Sequence, residues 1–467
     1  MKRDFARAFR LGDVRGLYPD ELDEAFAYGF ARAFAAHFNL SGNVATGRDM
    51  RGSSESLQAA LNEGFCDAGL TVLDLGLSTT ELGYFASTRP HVSAAIIVTA
   101  SHNPASYNGF KCVLRDGEAV TFDSGLSDVR LRMQSPPAPV DATQGQVKVW
   151  HLRDEYLDFL AAFFPGLEEN TGRIALNGLN GTAATLADDL AARLRLPVSW
   201  FRRHPGPIPA EGADPVKPQL SEEMRRFMAG DGHAFGVAWD GDCDRCVFFD
   251  GEGGLVPTYY VVGLLAAHFL SHTPGGTVVF DTKLCWNTLD IIARHDGRAA
   301  PAETGHAFMK RAMRNHRAIY GGELSSHHYF GDFFGCDSGM FAWLKLVEIL
   351  SIAGVSIGDL VDAQRQRVRC TPEINVALVD VDAAFLEVNE RYGRRALSVD
   401  SFDGPSYVMP GDWRFSLRRS KTEPLVRINF ECRGSADDML GEASSLLRLL
   451  ETWRDDDRVW DADLRIQ

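Results

Sequence analysis

Short apolar runs rich in β-branched residues alternate with stretches of helical periodicity along most of this chain. Residues 43–46 and 70–75 are typical of buried strands, and residues 54–69, which separate them, have the spacing of a helix. A further strand at 94–98 ends this first series. Strands that alternate with helices usually form parallel sheets covered by helices. The alternation therefore predicts an α/β fold.

The same strand–loop–helix pattern recurs in the middle of the chain and changes near its end. We expect three similar domains with mixed or parallel sheets, at residues 1–148, 149–254 and 255–367, and a smaller C-terminal α+β domain at 368–467. A proline-rich stretch at 134–146 is the predicted first linker.

Four further elements are predicted with specific bounds. A helix is expected at 20–38, because apolar side chains recur there every fourth residue and Pro19-Asp20 is a start signal. Strands are expected at 235–239 and 246–249, on either side of an acidic turn, and at 318–320.

The composition of the 467-residue chain narrows the classes of function. Its formal net charge of −15 argues against nucleic acids and anionic membranes as partners, since both select basic surfaces. No apolar run reaches the roughly 20 residues that cross a bilayer. The first residues lack the apolar core of a signal peptide. We therefore expect a soluble cytoplasmic protein. Its net charge does not exclude an anionic small ligand, which responds only to the charges of its own pocket.

Two of the eight cysteines, Cys243 and Cys246, form a C-x-x-C pair. A structural zinc site needs a second pair at similar spacing, which the sequence lacks. The neighbouring aspartates raise thiol pKa values and so weaken redox reactivity. We expect all eight to be free thiols, mostly buried.

A strand that stops at a small polar loop is the first candidate site. The apolar run at 94–98 is followed by Thr-Ala-Ser-His-Asn-Pro at 99–104. Ser101 thus falls just past the end of a strand, where α/β sheets place reactive groups. An ordinary serine-rich and proline-rich turn explains the same composition.

An acidic turn between two apolar strands is the second candidate site. Asp240, Asp242 and Asp244 occupy alternate positions, and their charges repel unless a cation lies among them. Carboxylate oxygens suit Mg²⁺ or Ca²⁺. An EF-hand is excluded because Arg245 and Gly251 stand where that loop needs glycine and glutamate. A solvated acidic turn is the alternative, but the apolar flanks favour burial.

Two further loops carry polar side chains suited to a sugar phosphate. Glu323 and Ser325, in the loop at 321–328, can exchange hydrogen bonds with hydroxyls. The stretch at 418–427 holds four cations and two hydroxyls, which are the usual donors to phosphate. A polar loop and a solvated basic hairpin are the respective alternatives.

Taken together and in this order, these motifs resemble the α-D-phosphohexomutase superfamily, and most closely its bacterial phosphomannomutase/phosphoglucomutase branch. The resemblance covers nearly the full chain. The matching segments are 99–104, 107–111, 240–245, 304–306, 322–327 and 418–424.

The resemblance implies a heart-shaped enzyme with four domains around a central cleft. The residues that it places near the transferring phosphate are Ser101 as the phosphoserine, His102, Lys111, Arg15, Arg245 and His306. The ligands that it implies for Mg²⁺ are Ser101, Asp240, Asp242 and Asp244. The substrate-binding residues that it implies are Thr304, Gly305, Glu323 and Ser325 for the sugar, and Arg418, Ser420, Lys421 and Thr422 for the remote phosphate.

The implied reaction passes the phosphoryl group of Ser101 to a hexose monophosphate. The resulting hexose 1,6-bisphosphate, which also serves as the activator, turns end for end and returns its other phosphate to Ser101. Hexose phosphates are thus the expected partners of a chain that is a monomer or a dimer. Two alternatives remain open: a metal-dependent sugar phosphatase that uses Ser101, and a non-catalytic protein that binds sugar phosphates or Ca²⁺.

The sequence departs from the family pattern at several positions. Cys243 and Ser326 stand where many relatives have glycine, so the local backbone angles are in question. Gly12 replaces a common tyrosine, and Lys421 a frequent asparagine. Glu81 occurs where other branches have proline, which is a feature of the phosphomannomutase branch.

Overall fold

The computed structural model describes residues 5–135, 145–167, 172–210, 212–420, 425–455, 458–461 and 463–467. These residues form 24 β-strands and 14 α-helices. The strands are β1 Val14–Leu17, β2 Asn43–Arg48, β3 Thr71–Leu77, β4 Val92–Val98, β5 Tyr107–Leu114, β6 Glu118–Ala119, β7 Val147–Val149, β8 Ile174–Asn177, β9 Val198–Phe201, β10 Phe235–Trp239, β11 Cys246–Phe249, β12 Leu255–Val256, β13 Thr277–Asp281, β14 Arg298–Ala302, β15 Tyr320–Gly322, β16 His328–Phe330, β17 Cys336–Asp337, β18 Arg369–Cys370, β19 Ile374–Val376, β20 Ser398–Asp400, β21 Ser406–Met409, β22 Trp413–Arg419, β23 Val426–Cys432 and β24 Trp460–Asp461. The helices are α1 Glu24–His37, α2 Ser54–Asp67, α3 Thr80–Ser87, α4 Ser127–Arg132, α5 Arg153–Ala161, α6 Ala184–Arg193, α7 Pro218–Met228, α8 Thr258–His272, α9 Trp286–Arg294, α10 His306–Asn315, α11 Gly339–Ala353, α12 Ile357–Arg365, α13 Val381–Val388 and α14 Ala436–Glu451.

The chain divides into two compact units. The first consists of Met1–Val256 and Gly305–Gly358, and the second of Pro257–Thr304 and Asp359–Gln467. Both contain helices and sheets, so the predicted mixed α/β fold is confirmed. The four predicted domain borders stay predictions, and most of the predicted linker at 134–146 lies outside the described residues.

The largest sheet of the first unit combines a parallel part with an antiparallel edge. Its order is β1-β5-β4-β2-β3-β7, with β6 beside β5. Strands β4, β2, β3 and β7 run parallel, whereas β5 is antiparallel to both β4 and β1. The loop that carries Ser101 connects β4 to β5, at the carboxyl end of β4.

Helix α1 covers this sheet with a row of phenylalanines. Phe26, Phe30 and Phe34 are buried, and neighbouring ring centroids lie 6.2 and 5.5 Å apart, so the predicted apolar face is confirmed. The predicted start at Pro19-Asp20 is wrong. The helix begins at Glu24 because the carboxylate of Asp23 accepts a 2.9 Å hydrogen bond from the amide of Phe26 and caps the first turn.

A second sheet in the first unit carries the acidic turn. Its order is β12-β11-β10-β8-β9, with β8 and β9 parallel to β10 and β11 antiparallel to it. Strands β10 and β11 have the predicted bounds and are buried along their whole length. Both predictions are confirmed, because a continuous apolar run indicates a strand that is covered on both faces.

The segment Gly305–Gly358 of the first unit contains β15, β16, β17, α10 and α11. The predicted strand at 318–320 is wrong in its bounds, since β15 is Tyr320–Gly322. Gly321 and Gly322, which looked like loop residues, pair with Tyr329 and His328 of β16. The loop with Glu323 and Ser325 is therefore the tight connection between β15 and β16.

The second unit contains an antiparallel sheet in the order β20-β21-β22-β23-β19-β24, with β18 beside β23. Along the chain, α13 lies between β19 and β20, and α14 lies between β23 and β24. The α+β character predicted for the end of the chain is therefore confirmed. The same unit holds the parallel pair β13 and β14 with helices α8 and α9.

The cysteines and the longest apolar helices bear on two expectations from the sequence. All eight cysteines are free and buried, as expected. No single helix among the described residues is long and apolar enough to cross a membrane, and one bent pair, α11 with α12, satisfies the length and composition criteria only when the two are combined.

Candidate active site

Ser101 lies directly after β4, in a loop whose backbone turns sharply. Its φ of 50° is left-handed, which is uncommon for a residue with a side chain. Ser101 is only 1% exposed, and its hydroxyl donates a 2.6 Å hydrogen bond to a carboxylate oxygen of Asp240. The structure therefore brings the predicted nucleophile to the predicted metal loop.

The three aspartates of that loop are fully buried and close together. One carboxylate oxygen each from Asp240, Asp242 and Asp244 lies within 4.8 Å of the other two. Oδ1 of Asp242 and Oδ1 of Asp244 have no hydrogen-bond donor among the described residues. Buried carboxylate oxygens without donors are the ligands that Mg²⁺ prefers, so this set of side chains fits a divalent cation.

Lys111 supplies a positive charge to the same carboxylates. It lies on β5 opposite Ile97 of β4, and its Nζ donates to Asp242 at 2.7 Å and to Asp244. Burial by itself lowers the pKa of Lys111, but the two carboxylates outweigh burial and raise that pKa above its usual value. Lys111 is therefore positively charged at neutral pH.

The carboxylates differ in their affinity for protons. Burial raises the pKa of Asp240 well above its usual range, and the charges of Asp242 and Asp244 raise it further. Burial acts in the same direction on Asp244, but Lys111 and His327 outweigh it and hold the pKa of Asp244 well below its usual value. A divalent cation would relieve the repulsion that acts on Asp240.

Two arginines stand beside Ser101 and the acidic turn. The amide of Arg245 donates to Asp240 at 3.3 Å, and its Nε lies 3.8 Å from the same carboxylate. Arg15, on β1, donates to the side-chain oxygen of Asn103 at 2.8 Å and to Asp13 at 2.6 Å. Both arginines that the resemblance places near the transferring phosphate thus contact one of the two loops.

A second loop reaches the acidic turn from the β15–β16 connection. Glu323 accepts 3.1 Å hydrogen bonds from the amide of Gly305 and from the hydroxyl of Tyr329. Ser325 Oγ lies 2.7 Å from Nδ1 of His327. Nε2 of the same imidazole lies 3.6 Å from Asp244. Glu323 and Ser325 therefore lie on the same side of the molecule as the metal loop.

Two predicted histidines are held in the neutral form. Burial lowers the pKa of His102 well below its usual value, and the charge of Arg245 lowers it further. Its Nδ1 lies 3.2 Å from Ser101 Oγ. Burial also lowers the pKa of His306 well below its usual value, and the charge of Lys310 lowers it further. The two ring nitrogens of His306 have no hydrogen-bond partner among the described residues. A Cβ on Gly12 would lie 3.3 Å from Nε2 of His306, so His306 fills the space beside Gly12.

The two positions where glycine is replaced keep a glycine-like backbone. Cys243 has a φ of 69° and Ser326 a φ of 68°, both left-handed. The segments that carry Cys243 and Ser326 contact each other, because the amide of Cys246 donates to the carbonyl oxygen of Ser326 at 3.3 Å. Both residues thus adopt the left-handed backbone that glycine favours.

The remaining predicted residues belong to the second unit. Thr304 donates its hydroxyl to Asp403 at 2.8 Å and its amide at 3.2 Å. Arg418, on β22, stands opposite Arg427 of β23, and its buried Nε has no partner among the described residues. The amide of Ser420 donates to the carbonyl oxygen of Leu425 at 2.8 Å. Lys421 and Thr422 lie outside the described residues.

Three residues at the site were missed from the sequence. His327 falls within the matching segment 322–327, but an adjacent histidine pair indicates no role by itself. Thr80 begins α3 and binds Asp242 twice, with its hydroxyl at 2.5 Å and its amide at 3.0 Å to the carbonyl oxygen. Arg51 binds the Ser101 loop. No local pattern marks Thr80 or Arg51, because their partners are distant in sequence.

Comparisons with known proteins point to one family. The family model "Phosphoglucomutase/phosphomannomutase, alpha/beta/alpha domain I" matches residues 6–124, and the corresponding model for domain III matches residues 257–368. A phosphomannomutase of Escherichia coli K12 is 39% identical over 450 residues, covering 95% of this chain and 98% of the relative.

Two further relatives extend the likeness. A protein of Xanthomonas campestris pv. campestris named phosphohexose mutases is 39% identical over 448 residues, which cover 94% of this chain and 99% of the relative. The crystal structure of a phosphoglucomutase/phosphomannomutase family protein from Burkholderia thailandensis superposes with a TM-score of 0.84 at 26% identity. It covers 95% of this chain and 97% of that protein.

Proposed function

The chain belongs to the phosphoglucomutase/phosphomannomutase family, and from this membership we propose that it is a phosphomannomutase that also acts on glucose phosphates. It interconverts hexose 6-phosphates and hexose 1-phosphates. The observation that carries the proposal is the 2.6 Å contact of Ser101 Oγ with Asp240, within a group of three buried carboxylates. A hydroxyl in that place can hold a phosphoryl group next to a divalent cation.

The divalent cation that suits these ligands is Mg²⁺. Asp240, Asp242 and Asp244 would hold it together with the phosphate on Ser101. When bound, Mg²⁺ neutralises charge that develops on the oxygens of the transferring phosphoryl group. The two carboxylate oxygens without donors support this assignment.

Phosphoryl transfer requires positioning and charge neutralisation more than covalent work by the protein. Lys111, which stays positively charged, and Arg245 neutralise the phosphoryl oxygens from the protein side. The bond between Ser101 Oγ and phosphorus breaks as the sugar hydroxyl bonds to phosphorus. The proton of that hydroxyl replaces the phosphoryl group on Ser101 Oγ. The neutral imidazole of His102, whose Nδ1 lies 3.2 Å from this oxygen, can transfer the proton to it.

The reaction requires binding sites for both ends of the substrate. Glu323 and Ser325 would bind sugar hydroxyls, as would the Thr304-Gly305 segment at the start of α10. Arg418, with Ser420, Lys421 and Thr422, would bind the phosphate that does not react. The buried Nε of Arg418, which has no hydrogen-bond partner among the described residues, supports an anion site.

The cycle requires two transfers with a hexose 1,6-bisphosphate between them. The first transfer forms the bisphosphate, and the second returns its other phosphate to Ser101 after the sugar has turned. Free bisphosphate would phosphorylate Ser101 and act as the activator. We place the enzyme in the cytoplasm, where the eight buried cysteines would remain thiols.

The proposal is tested by the variant Ser101→Ala. Mannose 1-phosphate and glucose 1-phosphate are each supplied with Mg²⁺ and a trace of hexose 1,6-bisphosphate, and the 6-phosphates are measured. We expect a loss of about 10³-fold or more in kcat, as is common when a nucleophile is removed. Ser106→Ala, which changes an exposed serine of the same loop, is the matched control and should keep full activity.

Two outcomes would replace this proposal by its alternatives. Release of inorganic phosphate from either sugar without formation of its isomer would indicate a phosphatase that uses Ser101. Absence of turnover in the unaltered protein, despite measurable binding of hexose phosphates, would indicate a non-catalytic binding protein. Isomer formation that survives in Ser101→Ala would exclude the phosphoserine cycle.

A further inference from the structure

A buried arginine from a neighbouring strand end holds the loop that carries Ser101. The side chain of Arg51 is 1% exposed and lies between β2 and α2 in the chain. Its guanidinium donates four hydrogen bonds to backbone carbonyl oxygens of the loop: to Ser101 at 2.8 Å, to Asn103 at 2.7 Å, to Pro104 at 2.7 Å and to Tyr107 at 2.9 Å. One side chain thus satisfies carbonyl groups along the whole turn.

Asp49 connects this guanidinium to the other side of Ser101. Its carboxylate accepts from Nε of Arg51 at 3.0 Å and from the hydroxyl of Thr99 at 2.8 Å. The hydroxyl oxygen of Thr99 in turn accepts from the amide of Ser101 at 2.9 Å. The amide and the carbonyl group of Ser101 are therefore both tied to the Asp49–Arg51 pair.

The backbone of Ser101 needs such a hold. A left-handed φ on a residue other than glycine costs about 1–2 kcal/mol and persists only where the surroundings fix it. A relaxed φ would rotate the side chain of Ser101 away from Asp240. Burying a guanidinium also has a cost, which its pairing with Asp49 and its full set of acceptors offset.

We propose that Arg51 is a positioning residue for phosphoryl transfer, which holds Ser101 Oγ against Asp240 by binding four carbonyl oxygens of the loop. This inference rests on the proposed function of Ser101. Arg51 contacts Ser101 through the backbone carbonyl oxygen and not through the hydroxyl that would carry the phosphate. Its effect passes through the Ser101 backbone, so its loss should slow transfer and leave substrate binding nearly unchanged.

The test compares Arg51→Lys with Arg48→Lys in the full-length protein. The lysine keeps the charge but cannot reproduce the fork that spans four carbonyl groups. For Arg51→Lys we expect kcat to fall by about 10²-fold, because a displacement near 1 Å has that effect, with KM changed by less than about threefold. The side chain of Arg48 forms an ion pair with the exposed Glu55, which a lysine can also make, so Arg48→Lys should match the unaltered protein.

A second readout does not depend on activity. Amide hydrogen exchange in a peptide covering residues 99–109 should accelerate by about tenfold or more in Arg51→Lys, with the exchange of α1 unchanged. If Arg51→Lys does not fold, Thr99→Val removes the link from Asp49 to the Ser101 amide while keeping charge and shape. The same fall in kcat and the same faster exchange are then expected.

The outcomes separate this inference from the proposed function. Unchanged kcat and unchanged exchange in Arg51→Lys or Thr99→Val, with Ser101→Ala inactive, overturn the positioning role and leave the proposed function standing. Full activity in Ser101→Ala overturns the proposed function, and the positioning role with it. A rise in KM alone assigns Arg51 to substrate binding and also overturns the inference.

Discussion

A buried glutamate at the start of α3 offers a sharp test of the electrostatics of the first unit. Glu81 is fully buried, and its Oε2 accepts hydrogen bonds from the hydroxyl of Ser338 and, at 3.4 Å, from the amide of Met340. Burial raises the pKa of Glu81 to about 8, although these two donors act in the opposite direction. Glu81 is therefore protonated at neutral pH in the folded protein.

The perturbation is Glu81→Gln, which keeps an acceptor oxygen and removes the titration. The pKa of Glu81 is raised on folding from 4.5 to about 8, so its contribution to stability is complete below pH 4.5 and is lost as the pH rises to 8. Each pKa unit corresponds to about 1.4 kcal/mol, so the unaltered protein should lose about 3 kcal/mol through this group between pH 4.5 and pH 7. The glutamine cannot ionise and should not show this loss.

The assay is thermal unfolding of both proteins between pH 5 and pH 8. We expect a small difference in Tm at pH 5 that grows in favour of Glu81→Gln, by on the order of 5 °C at pH 8. Glu55→Gln changes a glutamate whose side chain is 81% exposed, and its pH profile should follow that of the unaltered protein. Parallel profiles for Glu81→Gln and the unaltered protein would refute the reasoning, since they would mean that Glu81 ionises as it does in water.

Two further predictions concern the metal and the remote phosphate. Removal of divalent cations with EDTA should abolish isomer formation, and added Mg²⁺ should restore it, because Asp240, Asp242 and Asp244 otherwise repel the phosphoryl group; activity that survives EDTA would argue against a metal role. Arg418→Ala should raise KM for hexose phosphates by about tenfold or more, since an arginine–phosphate contact is charge-assisted. Its neighbour Arg419, exposed and paired with Asp382, is the control: Arg419→Ala should leave KM unchanged.

Local sequence patterns predicted the elements whose neighbours in the chain decide their structure. Strands β10 and β11 have the predicted bounds because both are continuous apolar runs interrupted by one acidic turn. The start of α1 was wrong because Asp20 and Asp23 are both able to cap a helix, and only the contact of Asp23 with Phe26 decides between them. The glycines of β15 were misread because their strand character comes from pairing with β16.

The residues of the candidate site also divide into those that a local sequence pattern predicts and those that only contacts with distant residues identify. Ser101 and the three aspartates could be named from the sequence, because each follows an apolar strand and carries a distinctive side chain. Thr80 and Arg51 could not be named, because their importance lies in contacts with residues far along the chain, Asp242 for one and the Ser101 loop for the other. A lone threonine or arginine in the segment that follows a strand has no pattern that distinguishes it from a surface residue.

The backbone angles of the site loops could not be predicted from their amino-acid composition. Ser101, Cys243 and Ser326 each adopt a left-handed φ, at 50°, 69° and 68°, although glycine is the residue that does so freely. Strain of this kind persists only where surrounding contacts fix the backbone. Arg51 supplies such contacts at Ser101, and the hydrogen bond between Cys246 and Ser326 supplies one between the other two loops. The site is thus defined by contacts among loops, which fix a left-handed backbone at three residues that carry side chains.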